Sequence, residues 1–478
     1  MISKKFFAHS IIYTIVGALP LATPILLLPL YTAVLSEGQV GEIALYTAFG
    51  FIMQIIANFS LDGSVRTFYL DYQNHAKQLK EYISTVYITL IGIGLISLMM
   101  FSILGALSFE RLLRLPFFPF GFLSLLSSVL NSFFKTYTGL LITQQRAVRF
   151  FYINFSQFLL TIMLIGGGLY LFPHTLWGPI AGRFGAVFIL FLTTLVFFIQ
   201  EYGLKFKYIY LHKMWKFCIH MTFYSISAWV LMYLDRYIIN HYLDTGKVGI
   251  YDFATKCVAP IELLVIGLCN AVMPKVFQAW KIQNINHTNT EINRYFNVMT
   301  LVTLISIAGA IVLLPVFVPL VVKKQVFYQS FEYIPYLAAG YVFLPLLSIF
   351  YYTLLYLKRT DIMNYYFGFC AVLQIIINPI AIDTFGVYGA IGTVILMKFL
   401  MMATFYWGAK RYFNFYFNWV KLFHLPLLFL LLVILAGYFQ IQQFYTATVL
   451  FVLLGVVYFK PMIQFAKHAN KRFIIKKE

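Results

Sequence analysis

The sequence predicts an all-α polytopic membrane protein of about 14 transmembrane helices: two parallel six-helix lobes plus two extra C-terminal helices. Four observations predict it. Apolar runs long enough to cross a bilayer recur along the chain: of 478 residues, 61% are hydrophobic and 11% charged, against about 25% charged in soluble domains. The dyad alternation of a membrane barrel is absent. Lys and Arg collect in the short gaps between apolar runs, the positive-inside bias of a multi-pass protein. Finally, the pattern L-x-x-G-x-V-G occurs twice, as Leu35-Ser36-Glu37-Gly38-Gln39-Val40-Gly41 and as Leu243-Asp244-Thr245-Gly246-Lys247-Val248-Gly249.

Lys4 and Lys5 hold the N-terminus inside. The first span, about 10–35, has no small-residue cleavage site and is long enough to cross, so no cleavable signal peptide is expected. Its Pro20, Pro24 and Pro29 each remove a helix hydrogen bond and act either as static bends or as hinges. The second span covers about 41–61, and the stretch 62–81, with Arg66, Lys77 and Lys80, reads as an inner loop. Spans follow at about 82–107, 116–141, 150–172 and 177–199. Lys205, Lys207, Lys213 and Lys216 mark the joint between halves at 201–216. The second half has spans at about 217–240, 248–273, 295–322, 332–357, 361–382 and 386–407. Two more, at about 422–439 and 445–459, precede the basic tail 460–478, which is read as inside. Every outer loop is short, which leaves no external domain to host a separate activity.

Trp177-Gly178 before the sixth span matches Phe385-Gly386 before the twelfth, at the same offset as the two hairpins. The expected organisation is a six-helix lobe over 1–204, a second over 205–412, and two additional helices with a basic tail over 413–478. Six spans is an even number, so the second lobe enters the membrane in the orientation of the first. Parallel repeats of this kind place substrate between the halves, and rocking exposes it to each side in turn.

The net charge of +19 follows from the topology, since the basic residues sit in the inter-span gaps, and it does not point to nucleic acid. Cys218, Cys257, Cys269 and Cys370 lie in apolar segments without a CxxC pair, so neither a metal site nor a disulfide framework is indicated. The nine His form no cluster, and no HExxH, Walker A or paired-carboxylate motif stands out. A non-enzymatic protein without a cofactor is expected. Without a Walker A motif, an ion gradient or downstream consumption of product must drive any flow.

The run PLYTAVLSEGQVGEIALYTAF, the Asp235–Ile238 tetrapeptide DRYI followed by YLDTGKVGIYDFATK, and NAVMPKVFQAW of Asn270–Trp280 carry a resemblance. The chain resembles the polysaccharide-transport family: the Wzx-type O-antigen and capsule flippases of the multidrug/oligosaccharidyl-lipid/polysaccharide exporter superfamily. The resemblance covers nearly the whole chain. It implies two lobes around a central cavity. It also implies alternating-access transfer of an undecaprenyl-pyrophosphate-linked oligosaccharide across the bacterial inner membrane, with both termini cytoplasmic. H+ or Na+ coupling, and a polysaccharide polymerase and glycosyltransferases as partners, belong to the same expectation. Two alternatives come from the same superfamily. A cation-coupled multidrug exporter wants acids in its cavity, whereas the intramembrane excess here is basic. A lipid II flippase is similar in span count but carries Arg in the first span, where this chain has no Lys, Arg, Asp or Glu between His9 and Glu37.

A charge near the bilayer centre costs at least about 2.5–3.5 kcal/mol, so it normally faces a cavity or a partner. Lys135, Arg183, Arg236, Lys256 and Lys398 fit that description, with Asp235, Asp252 and Glu262 as the acids that offset them. A lipid pyrophosphate needs cations along its path: Arg for bidentate contact, Lys as a point charge. Lys398 lies mid-span, too deep to snorkel easily. Lys256 either lines the cavity or pairs with Asp252 four residues earlier. Arg183 is about two turns into its span. Arg236 either binds substrate or complements a helix C-terminus beside Asp235. Lys135 snorkels. Arg66 is either a headgroup receiver at the inner mouth or a topology anchor, and Glu262 either a coupling acid or a helix–helix hydrogen bond. Tyr351, Tyr352, Tyr365 and Tyr366 are sugar-stacking candidates against a lipid-facing alternative. Asn154, Gln157, Gln374 and Asn378 are candidate interhelical glue.

Overall fold

The computed structural model describes residues 4–282, 290–442, 445–446, 448–455 and 457. Among these no strand occurs, and twelve helices are long and apolar enough to cross a membrane. The expected first span is α1 (Lys4–Val34), whose described apolar part runs over Ala22–Val34. Of the expected last span, 445–446, 448–455 and 457 are described and helical; the basic tail lies outside the described residues. The chain is a multi-pass, all-helical membrane protein.

The described chain falls into two compact units. The first comprises Met1–Phe253, Val322–Phe327 and Phe367–Ala390, so it extends past residue 204. After α1 come α2 (Glu37–Asn58), α3 (Leu61–Tyr72), α4 (Ala76–Leu113), α5 (Phe122–Thr143), α6 (Ala147–Leu171), α7 (Trp177–Tyr202) and α8 (Tyr208–Tyr242). The first turns of α9 (Thr245–Ile282) complete this part. The second unit comprises Ala254–Val321, Tyr328–Tyr366 and Ile391–Glu478. It holds the rest of α9, α10 (Thr290–Val321), α11 (Ile334–Ala339), α12 (Leu344–Tyr356), most of α14 (Val387–Lys410) and α15 (Leu425–Tyr438); α13 (Thr360–Phe385) passes from this unit into the first.

Two expected loops are helical. Leu61, Val65, Phe68, Tyr69 and Tyr72 recur at helical spacing, and this stripe packs on Tyr82, Phe133 and Tyr137 in the core of the first unit. Burial of that face makes α3 a helix where 62–81 reads as a charged loop. Phe59 and Ser60, at φ 47° and 52°, break the chain between α2 and α3. Likewise Tyr210, Met214 and Cys218 are spaced by four and buried in the same core, so only 203–207 of the expected joint is non-helical. Lys207 binds Glu81 at 2.7 Å across this joint, a hydrogen bond that holds its ammonium above the usual lysine range. In the second unit the span expected over 332–357 is α11 and α12, joined by a tighter turn at Gly340–Phe343.

Both copies of L-x-x-G-x-V-G are helix starts. Ser36 caps α2, accepting from the Gln39 amide at 3.2 Å while the Gln39 side chain accepts from the Ser36 amide at 3.0 Å. Asp244 accepts from the Lys247 amide at 2.8 Å at the start of α9. The two starts lie against one another within the first unit. A Cβ on Gly41 would run into the Thr245 carbonyl and the Gly249 amide; one on Gly249 would run into the Glu37 carbonyl and the Gly41 amide. Thr245 is the repeat counterpart of Glu37, and Gly249 that of Gly41, so the contact is reciprocal, as across a two-fold axis. Only glycine permits this backbone approach. Trp229 Nε1 to Ala48 O at 2.8 Å and Tyr237 Oη to Leu45 O at 2.9 Å hold α8 against α2 beside it.

Candidate functional site

In the second unit, Lys398 lies about 16 Å along α14 from Val387. Its Nζ is 3.6 Å from the centroid of the Tyr341 ring, a cation–π contact. Tyr341 Oη in turn donates to Glu262 Oε2 at 3.2 Å. Lys398 and Glu262 are both half-buried. Among the described residues no carboxylate lies within ion-pair distance of Lys398; Glu262 acts on it only through the longer-range field. The sequence singles out Lys398 and Glu262 separately, and the fold brings them together through a tyrosine it does not single out. Tyr341 owes its place to the turn between α11 and α12. There Gly340 lets α14 approach: a Cβ at that position would lie 3.2 Å from Ile395 Cγ1.

In the first unit, Arg183 sits in the second turn of α7, half-buried, with its guanidinium carbon 5.6 Å from the Phe51 ring centroid. Tyr31 of α1 and Tyr233 of α8 lie within its electrostatic reach. Among the described residues it has no carboxylate partner.

Arg236 has a different environment. Its Nη1 lies 3.0 Å from Asp235 Oδ1 and its Nε 2.9 Å from Asp252 Oδ1. Nη1 also donates to the Met232 carbonyl at 2.8 Å. Tyr251 Oη donates to Asp235 Oδ2 at 2.5 Å, and the rings of Tyr233 and Tyr251 lie 5.2 and 5.7 Å from the guanidinium carbon. Arg236, Asp235 and Asp252 are all buried. The cluster ties the end of α8 to the start of α9, just below the Gly41–Gly249 contact. Charge at membrane depth is tolerable there because each group is paired. Lys256, one turn after Asp252 on α9, is half-buried.

Arg66 and Lys135 are half-exposed and share one acid. Asp62 Oδ2 accepts from Arg66 Nη2 at 2.8 Å and lies 3.5 Å from Lys135 Nζ. They join α3 to α5. The tyrosine candidates divide: Tyr366 is buried against Phe405, whereas Tyr365 is 70% exposed. Tyr351 packs on Tyr352 and Phe405, and Tyr352 on Phe277. The Asn154 amide donates to the Phe150 carbonyl within its own helix.

Residues 4–280 match the family model described as polysaccharide biosynthesis protein, and residues 221–380 match the MatE model. No curated protein sequence matches the chain. Solved structures share its fold. "Lipid II flippase MurJ, inward closed conformation" superposes with a TM-score of 0.70 at 14% identity, covering 96% of this chain and 100% of that one. An inward-facing multidrug resistance MATE family transporter gives 0.63 at 14% identity, over 83% of this chain and 94% of that one. The MATE multidrug transporter DinF-BH gives 0.53 at 14% identity, over 87% and 94%. With the matched family model spanning more than half of the sequence, the chain belongs to the polysaccharide biosynthesis protein family of the multidrug/oligosaccharidyl-lipid/polysaccharide exporter superfamily, a family of membrane transporters and flippases.

Proposed function

We propose that this protein flips an undecaprenyl-pyrophosphate-linked oligosaccharide, the unit of a surface polysaccharide, across the bacterial inner membrane by alternating access. The observation that carries the reading is that each compact unit holds a cation at membrane depth facing an aromatic ring instead of a carboxylate: Arg183 over Phe51 and Lys398 over Tyr341. Such a charge costs about 2.5–3.5 kcal/mol on insertion scales unless a cavity or a partner offsets it. A pyrophosphate dianion is a complementary ligand for either cation: Arg183 offers a bidentate fork, and Lys398 a point charge. The aromatic faces hold each cation without neutralising it, so the anion meets a full positive charge. Lys256 and Arg66 extend the basic path, and Glu262, held by Tyr341, is the acid for H+ or Na+ coupling.

A second reading, a cation-coupled multidrug exporter, has support from the MatE match over 221–380 and from the half-buried Glu262 within it. One assay separates the two. Full-length protein in liposomes is loaded with undecaprenyl-pyrophosphate-linked oligosaccharide, and the arrival of the sugar on the far leaflet is read with a membrane-impermeant reagent. Arg183→Gln and Lys398→Gln should each slow flipping about ten- to hundredfold, the loss of one charge-assisted contact, while the protein still inserts. Export of a cationic dye with no flipping of the lipid-linked sugar would replace this reading with the second.

A further inference from the structure

The turn joining α5 to α6 and the end of α7 border an open cavity of about 600 Å³ that includes none of the transport residues. Arg146, Arg149, Val148, Tyr152, Ile153 and Phe197 line it. Its two sides differ in chemistry. On one, Arg146 Nη1 and Arg149 Nη1 lie 2.5 and 3.1 Å from the two oxygens of Glu201. One carboxylate thus faces two guanidiniums, and a positive charge is left over. The two arginine side chains remain 43% and 32% exposed, so donors remain for a second anion. Arg149 is fixed by the faces of Phe197, at 4.5 Å, and Tyr137, at 5.5 Å, which use none of its N–H groups. On the other side, Val148 and Tyr152 are 61% and 64% exposed on the first turns of α6. The arginines lie where membrane-spanning α6 begins and membrane-spanning α7 ends, the ends at which spans meet headgroups, and Val148 and Tyr152 continue along α6 into its span.

We propose that this cavity is a binding site for an anionic phospholipid, with its phosphate on Arg146 and Arg149 and an acyl chain along Val148, Tyr152 and Phe197. A free phosphate would use the guanidiniums but gain nothing from the apolar wall. A zwitterionic lipid brings its own ammonium to the phosphate and loses most of the attraction to the excess charge. Basic pockets between helices at a membrane surface recognise anionic headgroups on these grounds. The site is separate from the residues assigned to transport, and the proposal stands whatever molecule is moved.

The test is native mass spectrometry of the full-length protein with added phosphatidylglycerol or phosphatidylcholine. Phosphatidylglycerol adducts should outnumber phosphatidylcholine adducts, and Arg146→Gln with Arg149→Gln should cut them about tenfold without changing the phosphatidylcholine adducts. Because those arginines also hold Glu201, Val148→Glu is the second variant: it leaves both ion pairs in place and sets an acid against the headgroup, with the same loss expected. Undiminished phosphatidylglycerol binding in the Val148→Glu protein would overturn the proposal. So would displacement of phosphatidylglycerol by millimolar inorganic phosphate, which would mark a site for a free anion.

Discussion

Lys398 and Arg236 are both basic residues within membrane-spanning helices, and their surroundings differ. Lys398 rests on the ring of Tyr341, and its charge stays available. Arg236 is committed to two aspartates and a carbonyl. Removing one member of such a buried pair leaves the other charges uncompensated, at a cost of about 3–5 kcal/mol. Arg236→Gln should therefore lower thermal stability in detergent by that order, whereas Lys398→Gln should leave the melting temperature nearly unchanged and depress flipping. Glu262 makes the intermediate case. Its one described contact is the hydroxyl of Tyr341, so Glu262→Gln keeps a hydrogen-bond acceptor and removes a charge. In liposomes, flipping by Glu262→Gln should lose its dependence on an imposed H+ or Na+ gradient.

Among the helices, the crossing of α2 and α9 is a contact sensitive to a single methyl group. Their first turns touch backbone to backbone at Gly41 and Gly249, each against the other's repeat counterpart. A side chain there must push the two helix starts apart. Overpacking of this kind costs about 1–3 kcal/mol. Gly249→Val should lower the melting temperature accordingly, and Gly246→Ala, where a Cβ meets only the Asp244 carboxylate and the Glu37 stem, should do less. The reciprocity also makes Gly41→Val the equivalent lesion, so the two variants should behave alike. The Asp235–Arg236–Asp252 cluster reaches α9 about one turn after Gly249 and binds it to α8 in place of α2. The element that the repeated sequence pattern marks is thus a packed, capped joint.

For the molecule as a whole, the Lys and Arg distribution predicts an orientation that labelling can test. Positions read as inside and outside should react differently with a membrane-impermeant thiol reagent in right-side-out vesicles. In a background without the native cysteines, Gln73→Cys should be protected and His241→Cys labelled; the reverse pattern would invert the topology. The fold is shared with flippase and multidrug-transporter structures, so architecture alone does not identify the cargo.

Much of this was legible in the linear chain. Hydropathy located the spans because the bilayer demands about 20 apolar residues per crossing whatever the neighbours are. Spacing of like motifs marked the two helix starts that meet at Gly41 and Gly249, and depth within a span flagged Arg183, Lys398 and the DR pair of Asp235 and Arg236. Local composition misled where burial of one stripe outweighed charge, as in α3 and at the start of α8. Tertiary structure alone decided which cations are spent and which remain available. Tyr341 reaches Lys398, and Asp252 reaches Arg236, because helices distant or adjacent in sequence bring their side chains within a few ångströms. Hydrophobicity is a property of each residue and can be summed along the chain, whereas compensation of a buried charge depends on what other segments place beside it.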